Sequence, residues 1–189
     1  METLITMRFF FFIFLFYVFL CSFAFSFEKL TEEELKVAFV YNFLKFVSWP
    51  EKDNSKEKKS STLNLCIVGK TPLESYLFSL DGKVIKNRII RVRTADIDDL
   101  SECQAVFVGD LSNKDITFVL SSAVKSGVLT ISDLPDFIYK GGIIEIFMVG
   151  NKLRFSINLV VSQKSGLKIS SRLLKLARMV IRDDGKFKK

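Results

Sequence analysis

Past residue 62 the chain alternates short apolar runs with segments of helical character, and this alternation restricts the fold more than any other feature. Residues 63–69, 89–94, 105–109 and 127–132 read as strands, rich in Val and Ile and punctuated by Gly, Asp and Ser. Thr71-Pro72-Leu73-Glu74 opens a helical segment with a capping box and a proline at the first helical position, and residues 112–125 form another. Strands separated by helices pair in parallel through crossovers, which put helices on both faces of the sheet. The pattern then changes. Residues 142–149 and 152–159 flank Gly150-Asn151, a two-residue hairpin signal. In the second of them Leu153, Phe155, Ile157 and Leu159 alternate with Lys152, Arg154, Ser156 and Asn158, the pattern of an antiparallel edge strand with one wet face. The expected fold is a three-layer α/β domain. It has a central mixed, mostly parallel sheet of about six strands, helices on both faces and a C-terminal antiparallel hairpin.

Ahead of the sheet lies ELKVAFVYNFLKFVSWP, residues 34–50, the longest patterned apolar segment outside the leader. Thr31 and Glu34 have the spacing of a capping box, and Trp49-Pro50 closes the helix, because the residue before proline is pushed out of the helical region. Lys36, Asn42 and Lys45 do not form one solvated stripe, so most of the circumference is apolar. Such a helix is sandwiched in a core or covers a partner. Residues 53–62 are polar without periodicity and read as an exposed loop.

Residues 1–26 have the layout of a secretory signal peptide: Arg8, an unbroken apolar run over 9–21, then small residues at Ser22, Ala24 and Ser26. Retention of the run as a membrane anchor is one alternative. Lipidation at Cys21 is another, against which the bulky Leu20 stands. In each case residues 27–189 form a single exported domain, expected to be periplasmic. Removing the leader takes away one acid, Glu2, and one base, Arg8, so the net charge stays at +7. For an exported protein that charge points away from nucleic acid and toward an acidic partner surface or the anionic headgroups of a membrane.

Two cysteines remain, Cys66 and Cys103. In an oxidising compartment an isolated pair reads as a disulfide. Cys66 lies in one apolar strand and Cys103 just before another, so they meet if those strands are neighbours.

The chain has no histidine. That removes the commonest general base and metal ligand, and with them any Ser-His-Asp or Cys-His arrangement. No carboxylate cluster stands at metal-ligand spacing, so neither metal nor cofactor is expected. Gly69-Lys70-Thr71 has the end of a phosphate-binding loop but lacks the glycine five residues earlier, where Asn64 stands. Asp110 and Asp133 each follow a β run, so in an open sheet they would cluster with Lys70 and Thr94 at the carboxyl ends of the strands, where such folds place ligands. Capping and turn roles explain both aspartates without a ligand, and are the favoured reading.

Residues 170–182 read as a basic amphipathic helix, with Leu173, Leu174, Ala177, Val180 and Ile181 on one side and Arg172, Lys175, Arg178 and Arg182 on the other. Phe46 and Trp49 at the end of the first helix, with Arg172, Lys175 and Arg178, are the expected partner-binding groups. A core role for Trp49 is the competing reading.

The combination AFVYNFLKFVSWP (38–50), LCIVG (65–69), LTISD (129–133), GGII (141–144), FSINL (155–159) and SGLKISSRLLKLA (165–177) resembles the YfiR family of exported bacterial proteins. The resemblance covers essentially the whole mature chain. It implies a periplasmic regulator without enzymatic activity, a mixed sheet flanked by helices, and a dimer. The founding member restrains a membrane-bound diguanylate cyclase through its periplasmic sensing region, so that envelope or redox stress releases cyclic di-GMP synthesis and biofilm formation. Cys66 and Cys103 match a cysteine pair of that family, while the second pair of its best-known member has no counterpart here. The function expected is therefore inhibition of a membrane signalling enzyme by binding; the alternative is a periplasmic small-molecule-binding component of a sensor or transport system.

Overall fold

The computed structural model describes residues 30–49 and 61–183, so the expected leader and most of the 53–62 loop lie outside the described residues. The elements run α1 (Glu32–Phe46), β1 (Val47–Ser48), β2 (Thr62–Val68), α2 (Glu74–Phe78), β3 (Val84–Ile85), β4 (Arg88–Thr94), β5 (Ala105–Val108), α3 (Asn113–Ser126) and β6 (Leu129–Ser132). They continue β7 (Ile144–Val149), β8 (Lys152–Asn158), α4 (Leu159–Lys164), β9 (Lys168–Ile169), α5 (Ser171–Leu176) and β10 (Met179–Ile181). Among the described residues no helix is long and apolar enough to cross a membrane.

The main sheet has the order β10-β8-β7-β6-β5-β2-β4-β3. Strands β4, β2, β5, β6 and β7 are parallel in succession. The β7–β8 hairpin and the β3–β4 pair are antiparallel, and β10 joins β8 in parallel. This is the mixed, mostly parallel α/β sheet expected. On one face α1 contributes Val37, Val40, Phe43 and Leu44, α2 Leu77 and α5 Leu173, packed on residues that include Leu65, Ile67, Ile90, Ile146 and Phe155. Each such side chain contributes roughly 1.5–3 kcal/mol by leaving water. On the other face Ile116, Val119, Leu120 and Ala123 of α3 pack on Cys66, Val68, Val106 and Val108.

Helix α1 begins as expected: Glu34 N–H donates to Thr31 Oγ1 at 3.2 Å and Thr31 N–H to Glu34 Oε2 at 2.8 Å. Three glutamates in its first turn favour the positive end of the helix dipole. Phe39, Phe43 and Phe155 pack edge-on or tilted, with ring centroids 5.0 to 6.0 Å apart. The helix ends at Phe46, before the Trp49-Pro50 stop expected from sequence. Val47 is already extended (φ −98°, ψ 148°), because Val47 and Ser48 pair antiparallel with Ile169 and Lys168.

Four further details differ from expectation. The capping box at Thr71 does not form: Thr71 Oγ1 accepts from Leu73 N–H in a turn at 3.2 Å, and α2 starts only at Glu74. Strand β3 precedes β4 through a tight turn in which Lys86 and Asn87 hold φ of 48° and 66°. The hairpin turn at Gly150-Asn151 stands, with Val149 opposite Lys152, but β8 is not an edge, since β10 covers it. That strand comes out of the expected C-terminal helix, which stops at Leu176. Arg178 N–H donates to Phe155 O at 2.8 Å, and Met179–Ile181, with two β-branched residues, extends the sheet instead of the helix.

Candidate functional site

The strands β4, β2, β5 and β6 lie side by side and place Thr94, Lys70, Asp110 and Asp133 at their carboxyl ends. They do not form a common pocket wall. Lys70 and Asp110 are joined main chain to main chain, with Lys70 N–H donating to Asp110 O at 3.3 Å and Asp110 N–H to Lys70 O at 2.7 Å. Glycine on both strands permits the approach. A Cβ on Gly109 would overlap the Lys70 carbonyl, and one on Gly69 (φ +81°) would lie 2.8 Å from Asp110 O. The strands stay parallel, but the strand order reverses between β2 and β5, because β2 leads to β4 on one side and β5 lies on the other, and open sheets keep a ligand crevice at such a point. Here that crevice is bridged, leaving an open depression lined by Gly69, Lys70, Asp110, Leu111 and Ser112. The Ser112 hydroxyl is engaged with Asp115, which caps α3 internally.

Asp133 points elsewhere. Its carboxylate accepts from Lys36 Nζ of α1 at 2.8 Å, and Lys36 also pairs with Glu32 at 3.0 Å. Burial alone lowers the Lys36 pKa, but the hydrogen bonds and charges of Asp133 and Glu32 outweigh it, and the net shift is upward. Thr94 ends β4, exposed.

The amino ends of the strands carry the aromatic and basic residues. Trp49 is half-buried; its Nε1–H donates to Gln104 O at 2.7 Å, and the Arg88 guanidinium lies 5.9 Å from its ring centroid. Arg88 in turn donates twice to Thr62 O, and burial lowers its pKa. Phe46 packs against the core with the cations of Lys45 and Arg172 each 5.9 Å from its ring centroid. Phe46 O also accepts from Ser170 N–H at 3.0 Å, which ties the end of α1 to the start of α5. Arg172 and Lys175 stand on the exposed side of α5, and the Arg178 side chain is exposed just beyond it. The structure thus brings Phe46 and Arg172 together and gives Trp49 a separate partner.

Cys66 and Cys103 form a buried disulfide with Cα atoms 5.9 Å apart. The bond ties β2 to the segment just ahead of β5, which β2 pairs with in parallel. Arg93, opposite Cys66 on β4, brings Nη2 within 3.8 Å of Cys103 Sγ and Nη1 within 3.3 Å of Asp99, and its Nε is buried without a partner. Among the described residues no group of three or more Cys, Asp and Glu side chains could hold a metal.

Sequence reasoning missed Lys36, Arg88, Arg93 and Gln104. The alternating Arg91 and Arg93 on β4 were a readable sign that one face of that strand lacks a covering helix. Gln104 carried no sign, since both its partners are distant in sequence: its Oε1 accepts from Asn64 N–H while its carbonyl holds Trp49.

Two solved structures share the architecture. A conserved domain protein from Vibrio cholerae aligns at a TM-score of 0.52 and 12% identity over 81% of this chain and 61% of its own. The ABC domain in complex with L-Trp from Streptococcus pneumonia aligns at 0.50 and 12% over 79% of this chain and 60% of its own. At that identity the likeness is one of fold, and this chain spans about three-fifths of each. The model of the YfiR/HmsC-like proteins matches residues 33–178, from the first turn of α1 to the residue before β10, and the chain belongs to that family.

Proposed function

We propose that this is an exported periplasmic regulator that acts by binding, and that it inhibits a membrane-bound signalling enzyme of the diguanylate cyclase type through that enzyme's periplasmic region. The observation that carries the reading is membership of the YfiR/HmsC-like family over nearly all described residues. Arg172, Lys175 and Arg178 are the proposed partner contacts; among the described residues none of them has a carboxylate within ion-pair distance. Phe46 acts beneath them as the surface on which Arg172 rests. Trp49 serves as an anchor for the amino ends of the strands rather than as a contact group. The active form is a homodimer.

A small-molecule site at Lys70, Thr94, Asp110 and Asp133 is the less favoured reading, because the main-chain bridge between Lys70 and Asp110 spans the crevice and the Lys36 pair already engages the Asp133 carboxylate. The separating experiment is a pull-down of the mature chain, tagged at its C-terminus, from native membranes under oxidising and reducing conditions. Recovery of a membrane protein with a cyclase domain, lost in Arg172→Glu/Lys175→Glu, supports the regulator. Recovery of no membrane protein in either condition contradicts it.

A further inference from the structure

The second face of the sheet is covered unevenly. Among the described residues helix α3 packs over β2 and β5 and against β6, and the core cluster it makes contains no residue of β7, β8 or β10. The register fixes what those strands present there. Phe147 stands opposite Arg154 and Val149 opposite Lys152, and Met179 of β10, opposite Ser156, continues the same face; Glu145, also opposite Ser156, shares it but is half-buried, its carboxylate taken by Ile138 N–H. Tyr139, 60% exposed, reaches over it, with its hydroxyl 3.5 Å from Met179 Sδ.

An open face of an antiparallel pair is ordinarily lined by polar side chains. Here Val149 is 48% exposed, Phe147 is half-buried, and both alternate with Lys152 and Arg154. Neither cation has a carboxylate within ion-pair distance among the described residues. The side chains mix apolar area with unpaired positive charge on a rigid, twisted surface. We propose that this face docks an acidic amphipathic helix of another protein, lying across β7 and β8 beside α3 and completing the layer that α3 leaves partial.

The helix would set its apolar stripe on Phe147, Val149 and Tyr139, and its flanking Asp or Glu on Lys152 and Arg154. Charge selects the occupant. A second copy of this chain brings a net charge of +7 to a cationic face, whereas an acidic helix gains on approach and on contact. The inference rests on sheet coverage and register alone, independent of which signalling enzyme the chain inhibits.

The test is a nuclear magnetic resonance titration of the isotopically labelled mature chain. The probe is a synthetic helix of roughly 18 residues with leucine on one face and glutamate on the other, compared with a peptide of the same pattern carrying lysine. The glutamate peptide should shift the amide signals of β7 and β8 saturably. Lys152→Glu/Arg154→Glu should weaken it by about ten-fold or more and make the lysine peptide the better ligand. Both substitutions are exposed, so an unchanged circular dichroism spectrum and melting temperature confirm the fold, and Val149→Asp gives a second, uncharged-to-acidic check. Shifts centred on Arg172, equal affinity for wild type and double variant, or no saturable shift would overturn the proposal. So would sedimentation showing that wild type self-associates through this face and the double variant does not.

Discussion

Lys36 and Asp133, 97 residues apart, are joined at 2.8 Å, so the first turns of α1 are pinned to the carboxyl end of β6. Both side chains are less than one-fifth exposed. Removing one partner leaves the other charge poorly solvated. Lys36→Met and Asp133→Asn should each destabilise by about 1–3 kcal/mol, with the double variant losing less than the sum. Because the Lys36 pKa is raised in the folded state, its contribution is full below the ordinary value of 10.5 and disappears as pH rises through the folded value. Urea unfolding followed by the fluorescence of Trp49, the one tryptophan of the chain, measures both effects.

Glu145 gives the opposite end of the pH scale. Its carboxylate accepts from Ile138 N–H at 3.2 Å beneath the 133–142 loop. Burial raises its pKa above the ordinary 4.5 despite those backbone donors, so the folded state favours the proton. Stability from this group is fully present below the ordinary value and lost as pH rises through the folded one. Wild type should therefore gain on Glu145→Gln as pH falls from neutral toward 4.5. A stability difference that stays flat across that window contradicts the assignment.

The Lys70–Asp110 bridge depends on Gly109, where a side chain would meet the Lys70 carbonyl. Gly109→Ala should cost about 1–3 kcal/mol, the range for forcing extra atoms into a packed site. Hydrogen exchange should show early opening of the residues that follow β2 and β5. A neutral effect on both would mean that the strand ends separate easily, and would return the crevice to consideration as a ligand site.

The disulfide closes a loop of 37 residues between β2 and β5. Chain entropy alone predicts a loss of about 3–4 kcal/mol in Cys66→Ser/Cys103→Ser. The double variant measured without reductant and the wild type measured with it should melt together.

The central parallel strands and α3 were legible because their signals are local, β-branched runs and a helical segment opening at Ser112; Gly127, read as the start of a strand, instead ends the helix with φ +70°. The disulfide was legible through the neighbouring strands that carry it. The failures have one physical cause. A short segment with mixed propensity follows the tertiary partner that meets its backbone. Residues after Leu176 keep helical spacing, yet Phe155 O meets Arg178 N–H and a strand forms. Val47-Ser48 could have continued α1, yet Ile169-Lys168 pairs with it. The candidate sites were half legible in the same way. Strand order placed Lys70, Thr94, Asp110 and Asp133 at neighbouring strand ends, but the main-chain bridge between Lys70 and Asp110 and the Lys36–Asp133 pair join chain segments distant in sequence.

The most direct test of the regulatory reading is the cyclic di-GMP content of cells lacking the gene. Deletion should raise it, the wild-type gene should restore it, and a gene carrying Arg172→Glu/Lys175→Glu should produce folded, exported protein that does not. Unchanged cyclic di-GMP on deletion, under oxidising and reducing growth alike, would contradict the account.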